Sequence, residues 1–384
     1  MLNKLAELVE PVRETWVRPG AEPRLIRGIT LVLLSLGLAA VFSASTVESL
    51  NTYGNAWMIF LKQFLFAAMG VGLMFFVARI PTKVLRTYAK AGMALSLALL
   101  VAVLVIGASI HGQKNWIPLG PVNLQPSEFA KLGLIIFAAE RVASLSKRTA
   151  DPRHLGAPIL VAGALIMGLI ALEKDMGNLL VFAGITLSLM FAVGYPGKTL
   201  AMLGGTGLAA VLLMLKIGPS YRADRILNWL NPYADPQGLG WQWIHGNYAL
   251  AVGGFLGQGP GASKEKWGAL PEAHTDFILA VVGEEYGFIG TTVTIGLILL
   301  MLLLLLRVAM RMDDPFRRLL VVGVGSWLFM QSLFNIGAVV GFLPIIGVTL
   351  PLVSYGGSSL LPLLMALGIV IRCLSEVPAE GGRA

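Results

Sequence analysis

The chain holds a single cysteine, Cys373, among 384 residues. One thiol allows no internal disulfide and no cysteine-ligated metal cluster. Histidine is also scarce: His111, His154, His245 and His274 stand far apart and show no metal-ligand spacing. Charged residues make up 13% of the chain, against roughly a quarter in soluble domains. That scarcity excludes an ordinary soluble domain. No phosphate-binding P-loop and no dinucleotide fingerprint is visible. Gly204-Gly205-Thr206-Gly207 lies inside an apolar run, where small residues serve packing. Any energy for chemistry must therefore come from the substrate itself. The net charge of +8 does not point to nucleic acid, because the basic residues stand in short clusters beside apolar runs.

What the chain has is apolar length. Hydrophobic residues make up 56% of it and the mean hydropathy is +0.77. The expected fold is an all-α polytopic membrane protein. A span takes about 20 mostly apolar residues. Ten such stretches run near 25–45, 57–78, 87–110, 127–143, 157–173, 177–194, 198–217, 277–306, 317–342 and 356–375. No cleavable signal is apparent. The polar residues 1–24 and 376–384 read as tails flanking a membrane domain over 25–375. With ten spans, 20 of the 29 Lys and Arg fall on the side of the termini. The positive-inside rule then places both termini in the cytoplasm.

The unusual chemistry lies on the opposite, outer side. The connection 218–276, between the seventh and eighth spans, has about 59 residues and is too long for a plain link. It carries Trp229, Trp241, Trp243 and Trp267 with Tyr221, Tyr233 and Tyr248, a composition suited to the headgroup region. Residues 241–256 read as a short interfacial or re-entrant helix ending in glycines.

Five groups are candidates for function. Glu128 and Lys131 follow Gln125-Pro126-Ser127 and share a helix face, as an ion pair or as ligands. Asp175 lies in the turn Glu173-Lys174-Asp175-Met176-Gly177. Arg222 and Arg225 suit phosphate, because the guanidinium fork matches its oxygens. Glu272, His274 and Asp276 stand in Pro271–Phe277, where the long connection meets an apolar helix, with Glu284 and Glu285 one to two turns inside it. Ionisable groups at such a boundary are costly to hold and mark function by default. Last is the small-residue segment Gly347–Ser359, which includes Ser358.

At these residues the chain resembles the SEDS family, the bacterial shape, elongation, division and sporulation proteins. The resemblance covers about residues 25–375. It rests on QPSEFAK at 125–131, LPEAHTDFILAVVGEEYGFIG at 270–290 and GVTLPLVSYGGSSLL at 347–361. Weaker matches are YRADRILNWLNP at 221–232 and GGFLGQGPG at 253–261. The resemblance implies a ten-span peptidoglycan glycosyltransferase of the bacterial cytoplasmic membrane, closer to division-type than to elongation-type members. Such an enzyme polymerises lipid II into glycan strands on the outer face, among membrane lipids. It is partnered by a class B penicillin-binding protein and by further divisome or elongasome proteins. By the same resemblance Asp276 is the family's essential acid, and Glu128 and Lys131 are its paired acid and lysine. The chain departs from the family at Asn115, where an arginine is frequent, and at Glu173-Lys174 and Ile345-Ile346.

Lipid II brings its own diphosphate leaving group, so the transfer needs a base on the acceptor hydroxyl and a cation near the diphosphate. Asp276 suits the base. Arg222, Arg225 or Lys131 suits the cation, as does a divalent ion, Mg or Mn, held by Asp175 or Asp276. No organic cofactor is expected. Two other classes remain open at this level: a lipid flippase with Glu128, Asp175, Glu284 and Glu285 along its path, and a non-catalytic scaffold for a transpeptidase.

Overall fold

Prolines and aspartates set where the helices begin. Pro126, Pro152 and Pro315 open three of them, where the missing N–H has no intrahelical partner to lose. Asp151, Asp175 and Asp314 cap helix starts by accepting backbone N–H bonds. The structure, a computed structural model, describes residues 20–110, 112–118, 120, 122–217 and 228–376. Arg222 and Arg225 lie outside the described residues.

A helix occupies each of the ten apolar stretches. They are α1 (Glu22–Tyr53), α2 (Met58–Val77), α3 (Thr82–Ile106), α4 (Pro126–Leu145), α5 (Pro152–Glu173), α6 (Met176–Ala192) and α7 (Gly197–Ile217), then α9 (Ile278–Arg311), α10 (Pro315–Val339) and α11 (Gly357–Ser375). Between α7 and α9 lies the short α8 (Trp241–Gly253), where an interfacial helix was expected. Among the described residues, seven helices are long and apolar enough to cross a membrane. α6 is shorter, and α4 carries Glu128, Lys131, Glu140 and Arg141. The protein is a polytopic helical membrane protein.

One part is not helical as expected. The third apolar stretch ends at Ile106 and turns into a small antiparallel sheet of β1 (Ala108–Ile110), β2 (Gln113–Pro118) and β3 (Asn123–Leu124). The all-α reading missed it because strands of two to six residues carry too little periodicity to register.

α11 is the most enclosed apolar helix and packs chiefly on α2, with α10 and α4 also against it. α2 and α3 instead turn Phe64, Leu65, Phe76, Leu95 and Val105 outward, as lipid-facing helices do. Inside the bundle, Lys131 Nζ lies 2.6 Å from Glu128 Oε1, with both side chains buried. The ammonium also sits 5.4 Å from the ring centroid of Trp327 on α10. The ion pair lies within α4, and the Lys131–Trp327 contact joins α4 to α10.

α9 is broken at Gly287, whose φ of 65° and ψ of −160° leave the helix. The break frees backbone groups that lipid would leave unsatisfied, and only buried partners make that tolerable. The glycine-rich segment after α8 supplies them. Gln258 and Gly259 donate N–H bonds to the carbonyls of Glu284 and Glu285, at 2.9 and 3.0 Å. Phe288 and Ile289 donate to the carbonyls of Gly254 and Phe255. A Cβ on Gly287 would collide with the Gly257 nitrogen. The GGFLGQGPG stretch is therefore a backbone splint for α9.

Two expectations follow. Gly287→Ala meets both a positive φ and a collision and should destabilise by about 2 kcal/mol or more. Gly296→Ala, at an ordinary helical position facing open space, should be neutral or stabilising; thermal unfolding in detergent compares the two. Lys131→Met strands the Glu128 carboxylate and should cost on the order of 3–5 kcal/mol, part of it recovered when Glu128 is also made apolar. A Lys131→Met protein with unchanged melting would show that the pair is not structural.

Candidate active site

The helix directions bring several ends together: the C-termini of α1, α5 and α10 and the N-termini of α2, α4, α6 and α11. A cleft of about 920 Å³ lies among them, walled on one side by Trp229, Trp241, Gln242 and Trp243 of the long connection. Trp229 Nε1 donates to the Gly341 carbonyl after α10, which ties this wall to the bundle, and Trp241 Nε1 donates to that of Ala269 within the connection.

Asp276 lines the cleft just before α9. The chain reaches it through a tight coil in which Glu272 takes a positive φ of 53° and its carbonyl accepts from the N–H groups of Thr275 and Phe277. Phe277, fully buried, anchors the coil against Gly246 of α8. Three successive carbonyls are then held from across the bundle. Tyr355 N–H donates to the carbonyl of His274 at 2.9 Å. Ser354 Oγ donates to that of Thr275 at 2.6 Å. Asn335 Nδ2 donates to that of Asp276 at 2.8 Å and also to Val348 O at 2.7 Å. The backbone is thus fixed while the Asp276 carboxylate faces the cleft. Burial, then the negative charges of Glu272 and Asp175, pushes its pKa up to about 7.

Of the other acids nearby, Asp175 and Glu128 have polar partners and Glu173 has none. Asp175 Oδ2 accepts from Asn115 Nδ2 at 2.8 Å, Gln125 Nε2 at 3.2 Å and Asn178 Nδ2 at 2.9 Å. Its Oδ1 accepts the Asn178 N–H at 3.0 Å. Four donors from β2, the α4 entry and α6 meet on one carboxylate, and Asn115, the departure from the family arginine, is one of them. Glu128 lines the cleft but is paired with Lys131, which lies behind it. Glu173, at the end of α5, is fully buried, and neither carboxylate oxygen has a hydrogen-bond partner.

The remaining predicted residues divide. Glu272 and Ser358 line the cleft. Ser358 Oγ donates to the Asn123 carbonyl at 2.7 Å and accepts from Gln125 N–H, tying α11 to β3. His274 packs behind the coil, its Nδ1 3.5 Å from Glu48 and its ring against Tyr355. Burial lowers its pKa, and the charges of Glu48 and Glu272 counter that. Glu285 is not brought to the cleft. With Glu284 it is buried inside α9 and binds the 263–266 segment: Lys266 Nζ reaches Glu285 Oε1 at 2.9 Å and Ser263 Oγ reaches Glu284 at 2.6 Å. Its place one to two turns into the helix explains this, since that face looks onto the connection rather than the cleft.

Asn335 and Gln331 were missed as candidates. They stand four apart on α10, an amide pair on one face of an apolar helix, and that spacing was the available signal. For a metal ion, Asp175 fits poorly, because its oxygens are already filled by amide donors. Among the described residues no group of three or more His, Cys, Asp or Glu side chains could hold one.

A family model described as "Cell cycle protein", the FtsW/RodA/SpoVE model, matches residues 23–377. A probable peptidoglycan glycosyltransferase FtsW of Trichlorobacter lovleyi is 39% identical over 351 residues, 90% of this chain and 91% of the relative. Stage V sporulation protein E of Bacillus subtilis is 37% identical over 346 residues, 90% of this chain and 94% of the relative. Among solved structures, the rod shape determining protein RodA of Thermus thermophilus superposes with a TM-score of 0.68 at 26% identity, covering 94% of this chain and 98% of that one. A chain from a peptidoglycan synthase complex that coordinates polymerization and crosslinking superposes with a TM-score of 0.73 at 28% identity, covering 91% and 96%. The chain belongs to the FtsW/RodA/SpoVE family of cell cycle proteins, the SEDS family whose motifs its sequence carries.

Proposed function

We propose that this chain is a peptidoglycan glycosyltransferase that polymerises lipid II at the outer face of the bacterial cytoplasmic membrane, with Asp276 as general base. The observation that carries the reading is the Asp276 carboxylate, aimed into the cleft from a coil pinned at three successive carbonyls. The acceptor sugar hydroxyl loses its proton to Asp276 as its oxygen attacks the anomeric carbon of the donor. The bond from that carbon to the diphosphate oxygen breaks, and the lipid diphosphate leaves with the electron pair. The α-linked donor becomes a β-linked product by inversion. A base with a pKa near the working pH is effective in this role.

The family motifs and the relatives named as glycosyltransferases support the activity. The likeness to a peptidoglycan synthase complex supports a penicillin-binding protein as partner. The division role follows the relatives named FtsW. The helices over the ten apolar stretches and the basic-residue asymmetry support ten crossings with cytoplasmic termini. A divalent ion, where used, would take most of its ligands from the substrate diphosphate, as Mg²⁺ commonly does.

Reconstituted protein and partner, given lipid II, should make glycan polymer. Asp276→Asn keeps the shape but cannot take a proton, and its rate should fall at least ~10²-fold while folding and partner binding persist. Near-normal polymer from a folded Asp276→Asn protein would remove the base role. Only ionised Asp276 accepts a proton, so the wild-type rate should rise with pH through about 7 and level off above. Glu272→Gln removes one of the charges that raise this pKa and should move the midpoint to lower pH. The topology is checked in intact cells after Cys373→Ala: Pro260→Cys should label from outside and Asp313→Cys should not.

A further inference from the structure

The cleft carries an imbalance of charge. Four carboxylates line it: Glu128, Asp175, Glu272 and Asp276. Among the described residues lining it, Lys62 is the single cation. Lys131 is buried behind Glu128 and paired to it. Lys114 is also engaged, donating to the carbonyls of Leu104 and Val105 at the end of α3. An anionic ligand entering this cleft meets carboxylates along most of its length and, among the described lining residues, a cation at one place.

That place is at the lipid boundary. Lys62 lies in the second turn of α2, flanked by Leu61, Phe64 and Leu65, which are 48%, 48% and 58% exposed on the outside of the bundle. Its Nζ donates to Tyr53 Oη at 3.1 Å and lies 4.4 Å from the Tyr53 ring centroid. Tyr53, at the end of α1, also lines the cleft. Stacking on the ring and the hydroxyl contact restrict a side chain that would otherwise roam, and two ammonium protons stay available. A lipid-linked sugar diphosphate has its charge between an isoprenoid tail in the bilayer and a sugar outside it. A cation at the rim between apolar helix surface and polar cleft matches that order.

We propose that Lys62, positioned by Tyr53, binds the diphosphate of the lipid-linked substrate at the α1–α2 rim of the cleft. The inference rests on the glycosyltransferase reading for the identity of the substrate. Asn115, at a position where the family often has an arginine, is spent on Asp175.

The test is binding of a long-chain polyprenyl diphosphate to the detergent-purified protein, with the corresponding polyprenol as the uncharged probe. Lys62→Ala should weaken diphosphate binding roughly tenfold, the scale of one charge-assisted contact. Polyprenol binding should not change, Lys62→Arg should keep most of the affinity, and Tyr53→Phe should give a smaller loss. In polymerisation, Lys62→Ala should raise KM for lipid II about tenfold with kcat within about threefold. Lys62 is half-buried at the rim and, among the described residues, its side-chain partner is Tyr53 alone, so melting should hold. Diphosphate affinity within about twofold of wild type overturns the assignment. So does an equal loss of polyprenol binding, or a loss seen in Arg222→Ala and Arg225→Ala but not in Lys62→Ala. Wild-type protein that binds the diphosphate through Lys62 yet makes no glycan overturns the transferase reading and leaves this one standing. Glycan synthesis with Lys62-independent binding does the reverse.

Discussion

The clamp on residues 274–276 is the constraint on which the site depends. A coil at the end of a membrane bundle exposes carbonyls that neither helix nor lipid satisfies. Here they are satisfied from another part of the chain, by Asn335 of α10 and by Ser354 and Tyr355 before α11. The same Asn335 amide grips Val348, so two irregular segments hold one another. The small-residue segment Gly347–Ser359 is therefore a positioning element. It places the Asp276 backbone and leaves the carboxylate to the cleft.

Charge in the bundle is handled by local compensation. Asp175 receives four amide hydrogens, Glu128 receives an ammonium, and Glu284 and Glu285 receive Ser263, Lys264 and Lys266 of the connection. Each arrangement lowers the cost of a buried anion, and those of Asp175, Glu284 and Glu285 also join separate elements of the chain. Among the described carboxylates of the cleft, Asp276 has no such donor, and burial, then the charges of Glu272 and Asp175, raises its pKa. A base that is poorly solvated and lightly bonded is better suited to accept a proton than one that is fully compensated.

The broken helix α9 shows the same economy on the backbone. Gly287 interrupts the helix ladder, and the 254–259 segment exchanges four hydrogen bonds with the break. The connection from α8 is thereby fixed to the bundle on the same helix that starts beside Asp276. Packing of Gly246 against Phe277 adds a second tie between α8 and that start.

Apolar runs of about 20 residues are costly to place anywhere but in lipid, so the ten helices were legible from composition and length alone. The Glu128–Lys131 pair was legible too, because three residues on a helix fix a shared face. Position at the loop–helix junction marked Asp276, and family motifs agreed with it. The small sheet was not legible, since its strands are too short to show a period. Nor was the fate of Glu285, Asp175 and Asn115. Whether a carboxylate faces a cleft or a lysine, and whether an asparagine stands free or caps an aspartate, depends on partners far away in sequence, 60 residues for Asn115 and Asp175 and 242 for Ser43 and Glu285. Sequence spacing sets which face of a helix a residue occupies; only the packing of the bundle decides what that face meets, because the partners come from other helices.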